Sequence, residues 1–166
     1  MINRHNFTRE SLDAFSRYQV VKTVYRVKEG EMYLAYRPFV ETWTLERKRE
    51  KAAEILAGDH IVYGAFEKNG DIVGILLLLP VLEHDRMILD SFHVSTHKRR
   101  QGIGRALFAA AKEEAIRCGA KALYVSACSA RETIDFYTAM GFTLGSHPIR
   151  CSVEAEPYDI QMECTL

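Results

Sequence analysis

Hydrophobic positions change their period several times along this chain, and each change marks an element. The run IVGILLLLPVL from Ile72 to Leu82 is apolar at consecutive positions, which predicts a strand covered on both faces and placed centrally in a sheet. Upstream, IVYGAF and the turn Lys68-Asn69-Gly70-Asp71 predict its antiparallel partner, since Asn-Gly is a preferred hairpin turn. A second hairpin is predicted between Val20 and Arg37, where VVKTVYRV and MYLAYR flank Lys28-Glu29-Gly30-Glu31 and Pro38 ends the second strand. Arg86 to Val94, Lys121 to Ser126, Phe142 to Leu144 and the alternating Tyr158 to Cys164 supply the remaining strands.

Helical spacing predicts the other elements. Phe7 and Leu12 around Thr8 form a staple and cap for a short first helix running to about Tyr18. Leu45, Ala52, Ile55 and Leu56 share one face of a helix that follows Thr42 or Thr44 and stops at Gly58. Leu107, Phe108, Ala111, Ala115 and Cys118 mark a helix from Gly104 to Cys118, and Ser129-Ala130-Arg131-Glu132 is a capping box for one ending at Met140. The sum is an α/β fold, a mixed and mostly antiparallel sheet with helices on both faces. Only the strand-helix-strand unit from Met87 to Ser126 need be parallel. The last strand could be an edge open to a second subunit, so monomer and homodimer both fit.

Composition narrows the class. With 166 residues, 48% of them hydrophobic, residues 1–166 are expected to form one domain around one substantial core. Lys plus Arg and Asp plus Glu balance at 22 each, so no overall field would draw the chain to nucleic acid or anionic lipid. The longest apolar run is far shorter than the roughly 20 residues that span a bilayer. Four cysteines lacking a C-x-x-C spacing, and a start (MINRHNFTRE) without an apolar signal, predict free thiols in a cytoplasmic protein. His93 and His97 fall on strand and loop, and no H-E-x-x-H occurs, so no metal is expected.

The chemistry concentrates in LDSFHVSTHKRRQGIGRALF, Leu89 to Phe108, a buried strand leading through a basic loop into a helix. Unpaired amides at such a helix start, with the positive end of the dipole behind them, suit a phosphate. A dinucleotide fingerprint fails because Leu107 takes its last glycine position and seven residues separate strand from loop. A P-loop fails for want of Gly-Lys-Ser/Thr. An anion site and a plain glycine turn with a solvated basic flank both remain open.

Arg99-x-x-Gly102-x-Gly104 after ILDSFHV, followed by a strand and a helix ending in IDFYTAMGF, resembles the GNAT superfamily of acetyl-CoA-dependent N-acetyltransferases. The resemblance covers about Leu89 to Phe142 and implies two parallel strands, Met87 to Val94 and Lys121 to Ser126, that splay apart around acetyl-CoA. Backbone amides of Gln101, Gly102, Ile103 and Gly104, with Arg99, Arg100 and Arg105, would hold the pyrophosphate. Strand backbone at Phe92, His93 and Val94 would pair with the pantetheine arm, and a free N–H there could polarise the thioester carbonyl. Lys98 has no matched role and is read as solvated.

The same resemblance makes Tyr137 the acid that protonates the departing thiolate, although a tyrosine on the helical face of Ile134 and Met140 is often just core. It makes Asp90 the first choice for the base, working through water on the amine, with His93 second. If the strand alternates regularly, these two face opposite ways. Glu41 beside Trp43 could bind the amine or cap the following helix. Cys128 lies near the implied thioester but shows no base partner, so it is read as a small packed residue. The implied activity is direct acetyl transfer to a primary amine on a small molecule or peptide. A non-catalytic acyl-CoA sensor of the same fold is the alternative.

Overall fold

The computed structural model describes residues 7–166. Eight strands and four helices follow in chain order: β1 (Tyr18–Lys28), β2 (Glu31–Thr42), α1 (Leu45–Ala57), β3 (Ile61–Phe66), β4 (Ile72–Glu83), β5 (Arg86–Val94), α2 (Ile103–Arg117), β6 (Ala122–Ala127), α3 (Arg131–Ala139), β7 (Thr143–Leu144), α4 (Arg150–Ala155) and β8 (Ile160–Thr165). β1 and β2 form a hairpin of their own. The other six strands make one sheet in the order β3-β4-β5-β6-β8-β7. Within it only β5 and β6 run parallel.

β4 explains how the faces are filled. Its residues Ile72 to Leu78 are all buried, and they point alternately into two cores. Leu76 and Leu78 join Leu107, Phe108, Ala111, Leu123, Ile134, Tyr137 and Met162 on the side of α2 and α3. Ile75 and Leu77 join Ala52 and Ile55 of α1, with Phe7, Leu12 and Phe15, on the other. Gly74 lets α2 approach: a Cβ there would lie 2.8 Å from Leu107 Cδ1 and 2.9 Å from Ile103 Cγ2. Helices therefore cover both faces, as the pattern predicts.

Several expectations are corrected. Residues 9–14 form turns instead of a first helix. Their bonds reach back three residues, as from Ser11 N to Thr8 O, and tertiary partners claim the next groups, Lys48 Nζ bonding Asp13 O and Ser95 Oγ accepting from Ser16 N. Pro38 does not end its strand. β2 continues to Thr42 because Pro38 sits at a bulge, where Val21 pairs with Phe39 but Thr23 with Tyr36. Leu45 and Leu56 face solvent at the two ends of α1, leaving Ala52 and Ile55 as its buried contacts.

The capping box of α3 does not form. Ser129 Oγ accepts from Arg26 Nη1 at 2.8 Å and its carbonyl accepts from Tyr25 N at 2.8 Å, so the docked hairpin uses the groups a cap would need. α4 forms between β7 and β8, where the pattern assigns no element. The C-terminal strand is no edge either: β8 lies between β6 and β7, paired on both sides.

Candidate active site between two diverging strands

β5 and β6 part company midway. They pair at Arg86 with Ala122, Met87 with Leu123 and Ile88 with Tyr124, and the ladder stops there. β6 then keeps β8 as far as Ala127 with Ile160, while β5 keeps β4 as far as Val94 with Gly74. From Leu89 onward, the β6-facing edge of β5 has no strand partner among the described residues. Its peptide groups are open to an extended, amide-bearing ligand.

A bulge falls in this stretch. Leu77 pairs with Ser91 and the adjacent Leu78 with Leu89, so Asp90 is the extra residue. Regular alternation therefore does not hold: Leu89 and Phe92 pack on the same core three residues apart. The Asp90 carboxylate lies 3.5 Å from His60 Nε2 and accepts from Ser91 Oγ at 3.3 Å. It makes no hydrogen bond or ion pair with Tyr137, Glu41 or Asp159 among the described residues. His93 packs edge-on to Trp43, ring centroids 4.8 Å apart. Burial, with Arg17, Lys51 and Arg99 nearby, takes its pKa down to about 3, so the imidazole is neutral.

The loop after β5 is tied down at its start. Ser95 N donates to Val73 O, Thr96 N to Ser16 O, and Arg99 Nε to Val94 O at 3.1 Å. Burial, then the charge of Arg17, lowers the pKa of the half-buried Arg99. Gln101 Nε2 reaches His97 O at 3.2 Å. Arg100 and Gly102 adopt φ of 65° and 84°, turning the chain sharply into α2. The first inward bond of the helix is Ala106 N to Gly102 O. Amides of Gln101, Gly102, Ile103, Gly104 and Arg105 donate to no protein acceptor among the described residues. Five free donors at the positive end of a 15-residue helix are an arrangement suited to an anion. Lys98 is paired with Glu67 instead of being solvated, because the β3–β4 turn lies beside the loop.

Tyr137 packs from α3 against Phe92 of β5. It is 5% exposed, its ring 6.4 Å from Phe92, 5.7 Å from Phe136 and 5.1 Å from Phe142. Its hydroxyl has no hydrogen-bond partner among the described residues, and burial, with Asp159 and Cys128 adding to it, pushes the phenol pKa up. Cys128, just past β6, donates its thiol to Glu41 Oε1 at 3.6 Å. Burial is the main reason its pKa rises to about 11, which keeps it a protonated, weak nucleophile.

Glu41 pairs with Arg17, itself buried, and Trp43 sits between the rings of Phe15 and His93. Capping of α1 falls to Thr44 Oγ1, which accepts from Arg47 N, so Glu41 is free of that duty. Asp159 lies opposite Cys128, one step beyond the last β6–β8 pair. Burial, then the charges of Glu156 and Glu41, pushes its carboxyl up to about 6.

The structure thus gathers Tyr137, Cys128, Glu41, Arg17 and Asp159 beside the strand gap, with His93 and Trp43 adjoining through Arg17, and leaves Asp90 with His60. Sequence reading missed Arg17 and Asp159. Neither belongs to a motif, and Arg17 is buried, and Asp159 half-buried, only by contacts between segments far apart in the chain.

A model of the acetyltransferase (GNAT) family matches residues 30–142. Among solved structures, nourseothricin acetyltransferase superposes with a TM-score of 0.71 at 20% identity, covering 94% of this chain and 91% of that one. A Bacillus anthracis protein assigned as a streptothricin acetyltransferase, solved with acetyl coenzyme A, gives 0.70 at 17%, covering 95% and 94%. An aminoglycoside 6'-N-acetyltransferase solved with coenzyme A gives 0.56 at 17%, covering 71% and 79%. These likenesses show the fold. No curated protein matches the sequence.

Proposed function

The chain belongs to the GNAT acetyltransferase family, and from that premise we propose that it moves an acetyl group from acetyl-CoA to a primary amine by direct attack in a ternary complex. The observation that carries this reading is the pairing of five free amides at the start of α2 with an open β5 edge. Those two features match the two ends of the cofactor, an anionic pyrophosphate and an amide-bearing arm. Relatives of the same fold solved with acetyl-CoA or CoA support it.

Acetyl-CoA supplies the acetyl group as an activated thioester. Amides of Gln101 to Arg105, aided by Arg99, Arg100 and Arg105, hold its pyrophosphate. Backbone between Phe92 and Val94 holds the arm and presents an N–H to the carbonyl oxygen as it gains charge. Tyr137 gives its proton to the departing sulfur, a role supported by its unpartnered hydroxyl beside the strand gap.

An alkylammonium must lose a proton before it can attack. On β5 the candidates for that base are Asp90, acting through water, and His93. Glu41 and Trp43 line the acceptor side, where acidic groups suit a cation. Relatives named for nourseothricin, streptothricin and an aminoglycoside support a small-molecule amine as the acceptor. Free cysteines support a reducing, cytoplasmic setting, and no described helix is long and apolar enough to cross a membrane. Calorimetry with acetyl-CoA, followed by CoA release with a panel of amines, tests the proposal. Binding with amine-dependent release supports it, and binding without release to any amine leaves a sensor of the same fold.

A further inference from the structure

Asp159 is a half-buried carboxylate whose charge nothing among the described residues answers. Three other carboxylates around the gap have partners: Glu41 has Arg17, Asp135 has Arg131 and the Tyr25 hydroxyl, and Asp90 has His60. The Asp159 carboxylate has no hydrogen bond and no cation among the described residues, and the charges that reach it, from Glu156 and Glu41, are both negative. Leaving a carboxylate in that state costs stability, and a fold carries such a cost where a ligand repays it.

Its position says which ligand. Antiparallel register places Asp159 opposite Cys128, one step past Ala127 and Ile160, at the C-terminal end of β6 where β5 has already diverged. Its backbone is held there, Asp159 N donating to Glu156 O at 3.1 Å and its carbonyl accepting from Gln161 Nε2 at 3.4 Å. Within reach of its charge is the hydroxyl of Tyr137, a side chain 95% buried and likewise without a partner among the described residues. A lone acid and a lone phenol at one opening are complementary to a group that is cationic and rich in protons.

Resting on the transferase reading above, we infer that Asp159 is the group that binds the acceptor ammonium and takes its proton, in place of a base on β5. The protons balance. An ammonium loses two protons on becoming an amide nitrogen. Asp159 takes the first, freeing the nitrogen lone pair, and releases it to solvent. The nitrogen–carbon bond then forms, the carbon–sulfur bond breaks, and the sulfur leaves with the proton of Tyr137. The second nitrogen proton returns to the Tyr137 oxygen, so both side chains end as they began. A carboxyl titrating near 6 is matched to this work at neutral pH, better than an ordinary aspartate. Burial sets that value first, then Glu156 on its own loop and Glu41 from β2, while the Cys128 thiol and Tyr137 phenol are themselves raised by the charge of Asp159.

Spermidine serves as the cationic probe, with the full chain, in two assays. In turnover with acetyl-CoA, Asp159→Asn lowers kcat/KM for spermidine by about a hundredfold or more, exceeding the loss in Asp90→Asn, while the calorimetric affinity for acetyl-CoA stays within about twofold. Retained acetyl-CoA affinity shows that the variant is folded. In calorimetry with CoA present, the same variant weakens spermidine binding about tenfold or more. Asp159→Glu restores part of both. Equal spermidine affinity in variant and wild type overturns the inference, as does a larger turnover loss in Asp90→Asn. If the wild type binds acetyl-CoA but acetylates nothing, the transferase reading fails, and the binding assay still decides whether Asp159 receives the cation.

Discussion

The ring of Tyr137 lies 6.4 Å from that of Phe92, so α3 is fixed against the very strand whose free edge would receive the cofactor arm. Phe136 and Phe142 hold the same ring from its other sides. Tyr137→Phe keeps this packing and removes only the proton. It is expected to lower kcat by about 10²–10³-fold with acetyl-CoA affinity nearly unchanged, measured by CoA release beside calorimetry. Wild-type turnover in this variant would remove the proposed acid.

Gly102 holds φ at 84° in open space, so an added Cβ strains the backbone without striking a neighbour. Gly102→Ala should cost about 1 kcal/mol in the clamp conformation and raise the KM for acetyl-CoA about fivefold. Its kcat at saturation should hold, since the acid and base are elsewhere. Steady-state kinetics in acetyl-CoA separate the two parameters.

Gly74 has the opposite problem, with room lacking and dihedrals ordinary. In Gly74→Ala the new methyl meets Leu107, Ile103 and, at 3.2 Å, Ala65 Cβ. Overpacking of this kind costs about 1–3 kcal/mol. Because Ile103 opens α2, the same change should also weaken acetyl-CoA binding. Urea unfolding gives the first effect and calorimetry the second.

Two partly buried groups give stability a pH dependence of opposite sign. His93 titrates near 3 in the fold and near 6.5 free, so between these values the unfolded chain holds a proton that the native one refuses. Stability from this group therefore falls as pH drops through that window, on the order of 1 kcal/mol per pH unit. Asp159 titrates near 6 against 3.8, so the native chain holds the extra proton and stability falls as pH rises from about 4 to 6. Asp159→Asn should raise the melting temperature at pH 7.5, by on the order of 1 kcal/mol of stability after solvent screening. Thermal scans of each variant between pH 4 and 8 resolve the two effects, which partly cancel in the wild type.

Both hairpins, the spans of α1 and α2, and the parallel β5–β6 pair were legible because period, turn residues and caps are local signals. The glycine loop and Tyr137 were legible as candidates through motif and order. What escaped was set by partners distant in sequence. Ser129 loses its capping role to Arg26 and Tyr25, and Lys48 and Ser95 hold Asp13 and Ser16 where a first helix was expected. Asp90 becomes a bulge because Leu77 and Leu78 dictate register from β4. Asp159 looked like one more polar position inside the alternating stretch Tyr158 to Cys164, whereas the strand begins at Ile160. Only the placement of β8 beside β6 brings it to the strand gap.

The central claim is that this chain transfers acetyl from acetyl-CoA to a primary amine. The most direct measurement follows free CoA thiol with acetyl-CoA and a panel of primary amines, including spermidine and an aminoglycoside, and weighs the products by mass spectrometry. The account predicts release that requires an amine and a product heavier by one acetyl group on nitrogen. Tight acetyl-CoA binding with no amine-dependent release and no acetylated product would contradict it.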